Sequence, residues 1–363
     1  MSTTASRWPW IAPILIYIVS ALEMIIMVSP FAAYFYSVYT PLFHGLQQSE
    51  LTAWLPQFFL PHLAHTRWFV FRALGWLGAA LTLIGIIGFF ACAIQLYYGK
   101  FVRKQLVSGG LYGRVRHPQY LCLAVAGLGL LLLWPRFFIL VTYLMMLGLY
   151  YVLARHEEEL IRVRYGKATD EYLARVPMIN PFGGRREWGA WHPPSRTKAF
   201  ATWAAIVVVS LGAAFGLRNV AIGQLYAVQA PGVTTLAFRA KDDERLREIT
   251  DAVLATQPLQ AWLNGGATAP LFLQIAPSEG QMKHLLVDLG MKEAPRNALD
   301  LPESDELIIV SHVVGSEPGT SPDPFAIGTR IEPLFLAYDN AGTMFVQALV
   351  PDDFYPDFAR IRF

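Results

Sequence analysis

Charge is scarce in this chain. Of its 363 residues only 15% are Asp, Glu, Lys or Arg, while 54% are hydrophobic; a soluble domain carries about 25% charged residues. Too little charge is present to cover an all-soluble surface. Cysteine is scarcer still: Cys92 and Cys122 are the only two, and both lie inside apolar runs, so no disulfide framework is expected in the rest of the chain. No glycine-rich turn stands between a strand and a helix, which argues against a Rossmann-type nucleotide site. His62 and His65, with His44 farther back, could share a helical face, but no carboxylate or cysteine completes a ligand set. No metal site is expected.

Long apolar runs are what the chain has instead. They lie at residues 11–36, 74–97, 121–133, 137–152 and 199–216. A hydrocarbon core about 30 Å thick needs about 20 residues of helix, so three of the runs can span singly. The third and fourth flank Trp134-Pro135-Arg136, which reads as a tight turn near a membrane face, with Tyr120 and Trp134 as interfacial anchors. The first run is too long for a signal peptide and holds Glu23, so it is read as a retained span. Glu23 is a substrate-pocket residue, an interhelix polar contact or a group near the membrane interface. The expected architecture is an all-α polytopic bundle of about five transmembrane helices, followed by an α+β extramembrane domain.

Charge distribution orients that bundle. Residues 1–218 hold 19 Lys plus Arg against 8 Asp plus Glu, a net of +11, whereas residues 219–363 hold 10 against 19, a net of −9. The shift marks a domain boundary near residue 218. Basic residues crowd the 100–116 and 155–198 segments, while the turn between them has only Arg136. By the positive-inside rule both basic segments and the N-terminus are cytoplasmic, and the 37–68 connection and residues 219–363 are extracytoplasmic. A basic collar suits membrane lipids rather than nucleic acid. The lack of organellar targeting signals points to a bacterial inner membrane.

Two polar segments flank the 118–152 hairpin. In the first, Gly109, Gly110 and Gly113 lead to Arg116-His117-Pro118-Gln119-Tyr120. Pro118 can open a helix without losing a needed donor, and a helix N-terminus beside Arg116 and His117 favours an anion such as a carboxylate. In the second, Arg155-His156-Glu157-Glu158-Glu159 directly follows the apolar run. A hairpin joins its two ends, so cationic groups of one and Glu157 or Glu158 of the other could enclose a zwitterion. A basic stop beside headgroups and a solvated charge run remain open as plainer readings.

Together these segments resemble the superfamily of isoprenylcysteine carboxyl methyltransferases and phospholipid methyltransferases. The resemblance rests on Arg116 to Tyr120, then on Glu157-Glu158, Tyr165-Gly166, Tyr172 and Val176-Pro177, closing at Pro181, and covers a core of roughly residues 75–182. It implies a membrane methyltransferase domain over residues 1–218 that binds S-adenosyl-L-methionine at the cytoplasmic end. His117, Pro118 and Tyr120 would contact the cofactor, and Glu157 or Glu158 would hold its amino end. Arg116, Glu158 and Arg155 are the candidates nearest the chemistry, for an anionic part of cofactor or substrate and for fixing the glutamates. The acceptor would be a lipophilic molecule entering from the bilayer: an isoprenylcysteine carboxylate, a lipid amine or a small thiol. Two positions depart from the pattern. Cys122 stands where glycine is common, and Thr169 where an aromatic residue is common.

Residues 219–363 match no family pattern. Strands are expected at 233–239, 271–275, 306–314, 331–338 and 343–350, with helices at 243–263, bent or ended at Pro258, and at 279–289. Such a domain could bind a protein partner or sense a ligand, which leaves a second function class: an inactive methyltransferase-like anchor serving that domain.

Overall fold

The computed structural model describes residue 18 and residues 42–43, 45–62, 64–103, 107–179, 195–265, 270–276, 307–314, 323–327, 329–340 and 343–348. The first apolar run with Glu23, His44, and the helix expected at 279–289 lie outside the described residues. The rest falls into two compact units, one built from residues 73–213 and the other from 33–72 together with 214–363.

The first unit is helical. Helix α1 spans Phe69–Tyr97 and runs on into a π-helical turn, Tyr98–Arg103. A 3-10 turn at Gly110–Gly113 leads into α2, Pro118–Leu133, then α3, Phe137–Tyr165, α4, Lys167–Arg175, and α5, Arg196–Ile222. Among the described residues three helices are long and apolar enough to cross a membrane, at Phe69–Tyr97, Phe137–Val163 and Thr197–Ile222, and Pro118–Leu133 is a shorter apolar helix. At 1.5 Å per residue α2 is about 24 Å long, close to a hydrocarbon core. The expected turn is present: α2 ends at Leu133 and α3 begins at Phe137. The exposed faces of α1 and α5 are apolar, with Trp76, Ile87, Phe90, Ile94, Val208 and Val209 all outward, a surface that suits lipid and not water. The protein is therefore an integral membrane protein.

Glycine sets the spacing of α1 and α2. A Cβ at Gly78 would lie 2.8 Å from Gly129 O, and one at Gly85 would lie 2.6 Å from Cys122 O and 2.7 Å from Ala126 Cα. The two backbones are thus in direct contact, the close approach that small residues allow between membrane helices.

The second unit holds a six-stranded mixed sheet in sequence order, formed by β1 (Tyr226–Ala230), β2 (Val233–Ala237), β3 (Leu271–Ala276), β4 (Leu307–Val314), β5 (Arg330–Asn340) and β6 (Thr343–Ala348). Only β2 and β3 pair in parallel, because α6 (Asp243–Leu254) and α7 (Gln257–Asn264) return the chain between them. The helix expected at 243–263 is therefore two helices, with Pro258 in the first turn of the second, where its missing N–H costs nothing. Strand β1 was not anticipated: its Tyr-Ala-Val-Gln-Ala is short and pairs through the Gly232 turn, whose φ is +77°. The sheet is buried on both faces. Leu246, Ile249, Val253 and Leu259 cover one, packing on Val233, Leu273 and Val310, while Leu236, Phe272, Ile309 and Phe325 are buried with the other.

The connection that precedes α1 belongs to this unit. Thr66 bridges to Leu225, the His65 amide donates to Phe238 O at 2.9 Å, and Arg67 pairs with Asp243 at 2.7 Å. Buried Arg218, in the last turns of α5, donates to Phe58 O, Gln57 Oε1 and Phe325 O at 3.0, 3.1 and 2.7 Å.

Candidate functional site

Matched arm lengths make the site. From Leu133 back to Pro118 the first arm rises about 24 Å, and from Phe137 to Arg155 the second rises about 28 Å, so residues 116–120 come close to the level of residues 155–158. His117 is the residue before α2, with φ −123° and ψ 63°, and Pro118 opens the helix. The first amides available at that end belong to Gln119 and Tyr120, since Pro118 has none.

Glu158 lies at the centre and is almost wholly buried, its side chain 4% exposed. Arg116 Nη1 donates to its Oε1 at 2.7 Å, and Arg155 Nη1 donates to its Oε2 at 3.0 Å. Two guanidinium groups on one buried carboxylate offset the cost of removing it from water. His117 bridges the two glutamates: its Nε2 is 3.4 Å from Glu158 Oε1 and its Nδ1 is 3.5 Å from Glu157 Oε2. An imidazole that faces a carboxylate through each nitrogen is best satisfied as the doubly protonated cation. Burial opposes that charge, but the hydrogen bonds and negative charges of Glu157 and Glu158 outweigh it and raise the pKa of His117 above 6.5.

Glu157 is placed differently. Tyr120 donates its hydroxyl to Glu157 Oε1 at 2.7 Å, yet the side chain keeps 28% of its surface exposed. Tyr120 is itself held in a stack, between His117 at 5.6 Å and Tyr150 at 5.1 Å from ring centre to ring centre. The stack aims the Tyr120 hydroxyl at Glu157. All the residues singled out from the sequence, Arg116, His117, Pro118, Tyr120, Arg155, Glu157 and Glu158, therefore converge. Tyr150 was not singled out, because a tyrosine in an apolar helix carries no signal of its own.

The remaining signature positions hold the approach loop. Gly166, with φ +56°, turns the chain from α3 into α4, a conformation open to glycine. Tyr172 on α4 donates to Tyr112 O at 2.8 Å, and the Arg116 amide donates to Pro177 O at 3.0 Å. Gln95 on α1 holds the loop from the other side, donating to Gly109 O at 2.6 Å and accepting from the Leu111 amide at 3.3 Å. Thr169 is fully buried, and its hydroxyl donates to Ile161 O at 3.1 Å. The threonine thus closes the α3–α4 corner. Cys122 faces inward across the glycine contact, 4.0 Å from Cys92, sulfur to sulfur.

Fold and site define a polytopic membrane protein with a cluster of charged side chains, largely buried, at the open end of a helical hairpin. Residues 73–168 match the family model described as phospholipid methyltransferase, so the segment that carries these side chains is similar to a membrane methyltransferase family. That family takes its methyl group from S-adenosylmethionine. Neither the curated proteins nor the solved structures yielded a match.

Proposed function

We propose that the protein transfers the methyl group of S-adenosylmethionine to a lipophilic or membrane-associated acceptor. The observation that carries this reading is the unequal burial of the two glutamates. Glu158 is enclosed by Arg116, Arg155 and His117, whereas Glu157 is oriented by Tyr120 and His117 and still faces outward. A carboxylate held this way suits the ammonium of the methionine moiety, and the N-terminal amides of α2 suit its carboxylate. Glu158 with its two arginines is then the brace that keeps α2 and α3 in register. The same convergence of seven residues on one point argues against an inactive anchor.

The chain's own contribution to transfer is geometric. Bound cofactor supplies a sulfonium, already a good leaving group, and the protein must hold the acceptor in line with the methyl and keep water away. A carboxylate acceptor needs no base. For an amine or thiol, a proton must leave before or during transfer. The lipid-exposed faces of the hairpin are apolar, which favours an acceptor drawn from the bilayer.

Calorimetry of S-adenosylmethionine binding to detergent-purified protein tests the reading. Saturable binding is expected in the wild type, and its loss is expected in His117→Ala and in Glu157→Ala. A folded wild type that shows no binding would overturn it.

A further inference from the structure

Cys92 on α1 and Cys122 on α2 are the only cysteines in the chain, and their sulfurs lie 4.0 Å apart. Neither has a part in the site described above. Cys92 is fully buried, and room for the Cys122 sulfur is made by Gly88, where a Cβ would lie only 2.8 Å from it. The helices that carry them touch backbone to backbone one to two turns away, at Gly85 with Cys122 and Ala126. A disulfide requires the sulfurs to close from 4.0 Å to about 2.05 Å, which takes both side-chain rotation and a shift of α2 toward α1.

We propose that Cys92 and Cys122 form a reversible dithiol–disulfide site that gates the cofactor site. Both thiols sit within apolar helices, so the matching oxidant is one dissolved in the bilayer, a lipid-soluble quinone. Two S–H bonds break and one S–S bond forms; the two electrons and two protons pass to the quinone, which leaves as the quinol.

The location gives this bond leverage. Cys92 lies one turn before Gln95, whose side chain grips the approach loop at Gly109 and Leu111. Cys122 lies two residues after Tyr120, whose hydroxyl orients Glu157. Tyr112 in the approach loop is buried, and its hydroxyl donates to Gln119 Oε1 at 2.6 Å, in the first turn of the same helix that carries Cys122. Drawing the sulfurs together pulls the first turn of α2 toward α1, hence away from α3 and Glu157. A tenfold loss of affinity corresponds to about 1.4 kcal/mol, the scale of one hydrogen bond to a charged group, so displacing Tyr120 from Glu157 is expected to weaken binding by about that factor. The gating half of the proposal rests on the function proposed above; the dithiol half does not.

The test uses full-length protein in detergent, oxidised with a decyl benzoquinone whose ring carries no free position for thiol addition, and read by intact mass and by S-adenosylmethionine calorimetry. Expected are loss of the mass of two hydrogens, reversal by a phosphine reductant, and cofactor affinity weakened about tenfold in the oxidised form. Cys92→Ser and, independently, Cys92→Ala should keep their mass and their affinity under the same treatment. Retention of both thiols in folded wild type, under conditions that oxidise the unfolded chain, would overturn the dithiol site. Formation of the bond with unchanged affinity would overturn the gating. Reduced wild type that binds no cofactor would overturn the proposed function, and the mass change still decides the dithiol site separately.

Discussion

Two adjacent glutamates with the same chemistry occupy opposite situations. Glu158 is the common acceptor of Arg116 and Arg155 in a buried setting, so removing its charge strands two cations. Glu158→Gln should lower stability by about 3–5 kcal/mol, the usual cost of breaking a buried pair, and the loss should be visible in thermal unfolding before any assay is run. Glu157→Gln keeps its neighbours and much of its exposure; it should unfold close to wild type, within about 1 kcal/mol, while cofactor affinity falls. If the two variants lose stability equally, the division of labour between the glutamates is wrong. His117 adds a pH dependence. Because its pKa is raised in the folded protein, its stabilising charge is complete below the unfolded value near 6.5 and is lost as pH rises through the higher folded value. The stability advantage of wild type over His117→Gln should therefore shrink as pH rises from about 6.5 through the raised value, as followed by thermal melts at increasing pH.

At the scale of elements, packing between α1 and α2 depends on the absence of side chains. A Cβ at Gly85 would meet the Cys122 carbonyl and the Ala126 backbone, neither of which can rotate away. Gly85→Ala should separate the helices and destabilise the hairpin by about 1–3 kcal/mol, whereas Gly75→Ala, where nothing lies within 4 Å, should be neutral in the same thermal assay. The loop that carries Arg116 depends on α4 through one hydroxyl. Tyr172→Phe removes the donor to Tyr112 O and should cost about 1 kcal/mol, with faster amide exchange along residues 110–117 as the specific sign.

For the whole molecule, the 45–67 connection and the sheet share one unit. Hydrogen bonds from His65 to Phe238 and from Arg218 to Phe58 and Phe325 tie them together, so both must lie on the same side of the bilayer. Ser49→Cys and Asp323→Cys, each made in a Cys92→Ser/Cys122→Ser background, should react with a membrane-impermeant maleimide from the same face, and the extracytoplasmic face is the one expected from the charge pattern. Labelling of the two from opposite faces would contradict the shared unit. Arg218 provides the matching stability probe: Arg218→Leu leaves carbonyls of Phe58 and Phe325 without their donor, and residues 214–363 should become more sensitive to protease.

Much of this was readable from residues alone. Apolar run lengths placed α1, α3 and α5, the Trp134-Pro135-Arg136 break placed the hairpin turn, and Pro118 marked the start of α2, because helix length and proline chemistry are local properties. The site residues were legible for the same reason: two polar segments at the ends of a hairpin have to meet if its arms are equal. Period-two patterning located five of the six strands, and β1 escaped because five residues without a run of branched or aromatic side chains carry too little pattern. What the linear chain does not contain is which glutamate is buried and which faces outward, since Glu157 and Glu158 differ only by about 100° of helical rotation. That choice, like the Tyr150 stack, the contact between Cys92 and Cys122, and the recruitment of the 45–67 connection to the sheet, depends on neighbours far away in sequence, and only tertiary packing brings them within reach.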